Sequence, residues 1–128
     1  SAVEAELCRM EADWLAAEHI APTPTHPGAR GVIDAHLDSL GLSRNITARC
    51  AHFSAIPHIV ASSLLVLTTG RQFCERFTAQ LPLAILPSPV AFPRLMYYQL
   101  SHARTHHSAA AIWLRDTVKS VAASLRKE

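Results

Sequence analysis

An α/β fold with a mostly parallel sheet flanked by helices is what this sequence predicts. Three observations predict it. Helical and extended patterns alternate along the chain. "NITARCA" (45–51) alternates in polarity, with Ile46, Ala48 and Cys50 on one face. "LLVLTT" (64–69) is a continuous apolar run, as expected of a strand buried on both faces. The 128 residues, 49% of them apolar, suffice for the core of one domain. Residues 1–128 are therefore read as a single domain.

The elements follow in order. Glu4 to Ala17 is rich in Ala and Glu and reads as a helix. "HIAPTPT" (19–25) starts apolar and breaks on Pro22 and Pro24, so a short strand runs into a loop. "HPGARG" (26–31) is turn chemistry. Ile33, His36, Leu37 and Leu40 recur at helical spacing, with Asp34 and Asp38 on the opposite, solvated face. Gly41 followed by Leu42 ends that helix in a Schellman motif. "FSAIPHIVASS" (53–63) reads as a short helix interrupted or started at Pro57. Gly70 opens another through Phe73 and Phe77. "LPLAILPSP" (81–89) is extended and proline-bounded, and "RLMYYQLS" (94–101) reads as a strand. Tyr97 and Tyr98 there point to opposite faces, which suits one to a cleft and the other to the core. From Ser108, a good N-cap, the residues Ala110, Trp113, Leu114, Val118, Val121 and Leu125 mark the longest amphipathic helix. That stripe is expected to pack on a second copy or on the domain's own sheet, a two-fold pair being the expected form.

Composition excludes several classes. The net charge is +2 and no basic block provides a nucleic-acid footprint. Charged residues are only 17%, which points to surface covered by another domain or subunit. Three widely spaced cysteines form no disulfide framework and no CxxC pair, and read as buried free thiols in a reducing cytoplasm. No signal-peptide order and no membrane-length apolar run occur, so a cytoplasmic location and no membrane partner are expected. No GxSxG, GxxxxGK[ST] or GxGxxG motif is present.

His102, His106 and His107 are the one cluster with the residue type for metal or acid–base chemistry. Such chemistry needs convergent ligands at fixed geometry. These three fall between a strand and a helix, with no HExxH pattern and no carboxylate beside them. They read as a polar corner. No catalytic residue, metal or cofactor is assigned, and the chain is not read as an enzyme; a small histidine-dependent enzyme is the remote alternative.

"TPTHPGARG" (23–31) is a better ligand candidate. It follows a strand and precedes a helix, whose N-terminus offers free N–H groups to an anion. In open α/β sheets, ligands sit beyond the carboxyl ends of strands. Thr23 and Thr25 supply hydroxyls and His26 a ring nitrogen. An ordinary Pro/Gly-rich turn explains the stretch equally well. His52 and Phe53 also follow a strand and begin a helix, so they face the same edge, although Phe53 equally suits a core anchor.

"GLSRNITARCAHFSAIPHIVASSLLVLTTGRQF" and "LMYYQLSHARTHHSAAAIWLRDTV" together resemble the ligand-sensing domain of LysR-type transcriptional regulators. The likeness lies in segment order and in the closing "WLR" helix, and it covers nearly the whole chain. Ser101, Leu64 and Ala103 stand where many relatives carry tryptophan, aspartate and an acidic residue.

The resemblance implies a type 2 periplasmic-binding-protein-like lobe. The chain resembles the second sensing subdomain plus a return segment, about residues 94–128. It begins too late for the family's helix-turn-helix, so DNA would be met only through an N-terminal part not contained here. The implied partner is a small organic acid, in some relatives aromatic. Effector contacts are implied in the loop of Thr25 and His26 and at the "HF" step, His52 and Phe53. The alternative is a solute-binding protein with no role in transcription.

Overall fold

The computed structural model describes residues 1–94 and 97–125. They fall in two compact units, Ser1–Pro93 and Arg94–Glu128. The first begins with helix α1 (Ala2–Ala16), opened by a capping box between Ser1 and Glu4. Strand β1 (Glu18–Pro22) follows, then helix α2 (Val32–Ser39) and strand β2 (Asn45–Cys50). A 3-10 turn at Phe53–Ala55 leads into helix α3 (Ile56–Ala61), and helix α4 (Arg71–Thr78) comes after it.

Strands β1 and β2 pair in parallel, from Glu18↔Asn45 to Pro22↔Cys50, with an irregularity between His19 and Ile20. A parallel pair needs a crossover, and α2 supplies it. The helix ends as its sequence dictates. Gly41 takes φ +71°; its N–H donates to Asp38 O (3.1 Å) and the N–H of Leu42 to Leu37 O (2.9 Å), the paired bonds of a Schellman motif. On β2 the exposed and half-buried positions alternate from Asn45, placing Ile46, Ala48 and Cys50 inward. The core gathers around Ile20, Ala21, Leu37, Ile56 and Val90.

Four expectations are corrected. The run Leu64–Thr69 does not form a strand buried on both faces. Among the described residues this run meets the sheet at Val66 alone, as a parallel bridge to His19. Ile20 N–H donates to Val66 O and Val66 N–H to Glu18 O, both at 3.0 Å. Leu64 is 95% exposed, and Leu65–Thr69 border a cavity in place of a second packed layer. Asp34 does not sit on a solvated face. It is buried and paired with Arg44, whereas Asp38 is exposed and paired with Arg30. The thiols are free but not buried: Cys8 is exposed, and Cys50 and Cys74 are half-buried.

The second unit holds a 3-10 turn at Ala103–Thr105 and helix α5 (Ala109–Leu125). Ser108 caps α5 as expected, its Oγ accepting from Ala111 N–H at 3.1 Å. The expected strand 94–101 is the fourth correction. Leu95 and Met96 lie outside the described residues, and Arg94 and Tyr97–Ser101 form no strand. A strand exists only where a neighbour takes its backbone groups, and the described residues show no pairing here. Tyr97 and Tyr98 are 86% and 79% exposed, so neither enters a core. Along α5, Trp113, Leu114, Val118 and Val121 are exposed. Among the described residues no helix is long and apolar enough to cross a membrane.

Candidate functional site

The register Pro22↔Cys50 puts the carboxyl ends of β1 and β2 side by side. The N–H of Thr23 continues the ladder to Cys50 O at 3.1 Å. Thr23 and the loop behind it therefore start at the same sheet edge from which His52 and Phe53 leave β2. Thr23, Thr25, His26 and His52 are all exposed. Nδ1 of His26 donates to the Pro27 carbonyl at 3.3 Å, and Ala29 N–H closes a turn onto His26 O at 3.1 Å. Gly28, at φ +81°, provides the left-handed residue that turn needs.

The loop delivers the chain to α2 through Gly31, which caps without a side-chain hydrogen bond. Among the described residues no side chain caps the first-turn N–H groups of α2, and this end of the helix carries partial positive charge. A cation adds to it. Arg49, on the exposed face of β2, sends Nη1 across the sheet to Pro22 O at 3.1 Å. Among the described residues no carboxylate forms an ion pair with it. The sequence reading missed Arg49. The alternation that placed Ile46, Ala48 and Cys50 inward also places residue 49 outward, beside the strand's end. Phe53 lies against the Phe73 ring at 4.5 Å, so it is shared between this edge and the packing of α4.

The three clustered histidines make separate local contacts, and His102 alone of them caps a 3-10 turn. Nδ1 of His102 accepts from Arg104 N–H at 3.0 Å. Nδ1 of His106 accepts from the Arg115 guanidinium at 2.8 Å. The His106 and His107 rings meet edge to face at 5.0 Å. Among the described residues no group of His, Cys, Asp or Glu is arranged to hold a metal ion.

A cavity of about 610 Å³ lies elsewhere in the first unit, against α1, α3, α4 and the segments 65–69 and 83–89. None of the five residues singled out from the sequence borders it. Phe53 reaches it only through Phe73.

Buried charge and polarity frame the sheet. His19 is fully buried; its Nε2 donates to Trp14 O at 2.6 Å and its Nδ1 has no partner among the described residues. Burial, aided by the nearby Arg44 charge, pushes its pKa below the usual histidine value against the Trp14 hydrogen bond. Hydrogen bonding to Arg44 holds the Asp34 carboxyl below its usual range.

A model of the LysR substrate binding domain matches residues 7–123. The chain is similar to the HTH-type transcriptional activator NahR of Pseudomonas putida, 31% identical over 66% of this chain and 28% of that protein. It is also similar to the HTH-type transcriptional activator NagR of Ralstonia sp, 28% identical over 77% of this chain and 32% of that protein. The chain thus spans less than two thirds of the length of the curated relatives it matches. A match over residues 7–123 takes in most of the chain, and the chain belongs to the LysR substrate-binding domain family.

Proposed function

We propose that this chain is the effector-sensing part of a LysR-type DNA-binding transcriptional regulator, and that its effector is a small organic acid. The observation that carries the reading is the register Pro22↔Cys50, which brings two ligand-competent loops to one sheet edge. Thr23 and Thr25 offer hydroxyls, His26 and His52 offer ring nitrogens, and Phe53 offers a ring face. The uncapped start of α2 and the Arg49 guanidinium give the edge a positive bias that suits a carboxylate. An aromatic acid would add contact with Phe53.

Both relatives are HTH-type transcriptional activators, which supports the remainder of the reading: a helix-turn-helix part meets DNA. This chain then acts as the second sensing subdomain with its return segment, closing on the effector against a first subdomain and shifting a conformational population. The exposed stripe of α5 supports burial against a further surface, self-association included.

Calorimetric titration with benzoate tests the site. Saturable binding is expected, weakened several-fold in Thr25→Val and in His26→Ala. Unchanged affinity in both variants would move the effector away from this loop.

A further inference from the structure

We propose that the 610 Å³ cavity is a second ligand site, separate from the carboxyl edge, that takes one uncharged, mainly apolar molecule bearing a single hydroxyl or carbonyl group.

Size comes first. Small-molecule sites run from about 300 to 1,000 Å³, and this cavity lies inside that range. Its walls carry the surfaces such a ligand uses. The rings of Trp14, Phe73 and Phe77 face it, with Val60, Leu67 and Ile85 between them. Phe73 and Phe77 are 5.1 Å apart and tilted by 53°, so they present a continuous aromatic wall along α4.

The hydroxyls define the polar handle. Four line the cavity, at Thr68, Thr69, Thr78 and Ser88. Two are already used: Thr78 Oγ1 donates to Glu75 O at 3.1 Å and Ser88 Oγ to Val90 O at 2.7 Å. The hydroxyls of Thr68 and Thr69 form no hydrogen bond to protein among the described residues. Both residues are half-buried on the cavity wall. Two such hydroxyls on a mainly apolar wall can donate to and accept from one ligand group.

The charges select against an anion. Asp13 contributes a carboxylate to the lining. Arg71, the cation there, is ion-paired with Glu75 at 3.6 Å. Cys74 lines the same wall, and burial pushes its thiol pKa up. An ionised carboxylate entering here would lose water, face the Asp13 carboxylate and meet only a cation already shared with Glu75.

The test uses the full chain and three probes: 4-propylphenol, propylbenzene and 4-propylbenzoate. Amide and indole shifts are followed with each. Saturable shifts with 4-propylphenol are expected at Trp14, Thr68, Thr69 and Cys74. Thr68→Val with Thr69→Val should weaken 4-propylphenol by up to about tenfold, the worth of a hydrogen bond, and leave propylbenzene unchanged. Cys74→Phe should remove both by filling the cavity. If that variant fails to fold, the threonine pair still decides. 4-Propylbenzoate should leave the cavity residues unshifted, whatever it does at Thr23–His26. Shifts with 4-propylphenol that miss the cavity, or equal binding of 4-propylbenzoate within it, would overturn the proposal.

Discussion

The Arg44 guanidinium grips the Asp34 carboxylate with two bonds, Nε to Oδ1 at 2.8 Å and Nη2 to Oδ2 at 3.1 Å. Their side chains are 4% and 12% exposed, so neither charge is left to water. The pair ties α2 to the residue immediately before β2, and so fixes the crossover that positions the candidate edge.

Breaking this pair from one side strands a buried charge. Arg44→Met should cost about 3–5 kcal/mol, measured as a lower urea midpoint at unchanged slope. Replacing both partners with apolar residues, Asp34→Leu with Arg44→Met, should recover most of the loss. A single substitution with no effect would show that the pair is not buried in solution.

His19 makes stability depend on pH. Its folded pKa is lowered, mainly by burial, so the unfolded chain binds the proton first as pH falls. Its contribution is complete above the unfolded value of about 6.5 and is lost progressively below it, towards the folded pKa. The expected slope is at most about 1.4 kcal/mol per pH unit for one proton. The Asp34 carboxyl, also lowered, adds its own loss only below about pH 4. Urea unfolding from pH 7.5 to 5 should show the slope in the parent chain. His19→Phe should reduce it; an identical slope in that variant would assign the effect to other groups.

Gly41 stands at φ +71°, and a Cβ there meets nothing within 4 Å. Gly41→Ala should therefore cost only the backbone strain of the left-handed region, about 1–2 kcal/mol. Thermal unfolding checks this. A stabilised variant would mean that α2 ends differently.

Thiol labelling should separate the cysteines. Cys8 is exposed and Cys74 half-buried, with the Cys74 pKa raised chiefly by burial. Since the thiolate is the nucleophile, iodoacetamide at neutral pH should modify Cys8 well before Cys74. Equal rates by mass spectrometry would contradict the burial of the cavity wall.

Local signals made much of the fold legible. Gly41-Leu42, Gly70 and Ser108 each mark a helix boundary through backbone chemistry confined to a few residues. The alternation in β2 exposed its inward face. What depended on distant partners was not legible. Asp34 shares a helical face with Asp38, and only Arg44, ten positions on, buries it. An apolar run resembles a buried strand, yet among the described residues 64–69 has a strand neighbour at Val66 alone. The same holds for Arg94 and Tyr97–Ser101, which among the described residues have no pairing partner and form no strand. The cavity was invisible because its walls come from separated segments. At the candidate edge, the loop and the His52–Phe53 step could be read from their places after strands, whereas Arg49 needed the register.

The central claim is that the carboxyl edge of β1 and β2 receives an organic acid. Amide shifts of the labelled chain during benzoate titration test it most directly. Saturable changes are expected at Thr23, Thr25, His26, His52 and Phe53, diminished in Arg49→Gln. Saturable changes confined to other residues, or none at all, would contradict it.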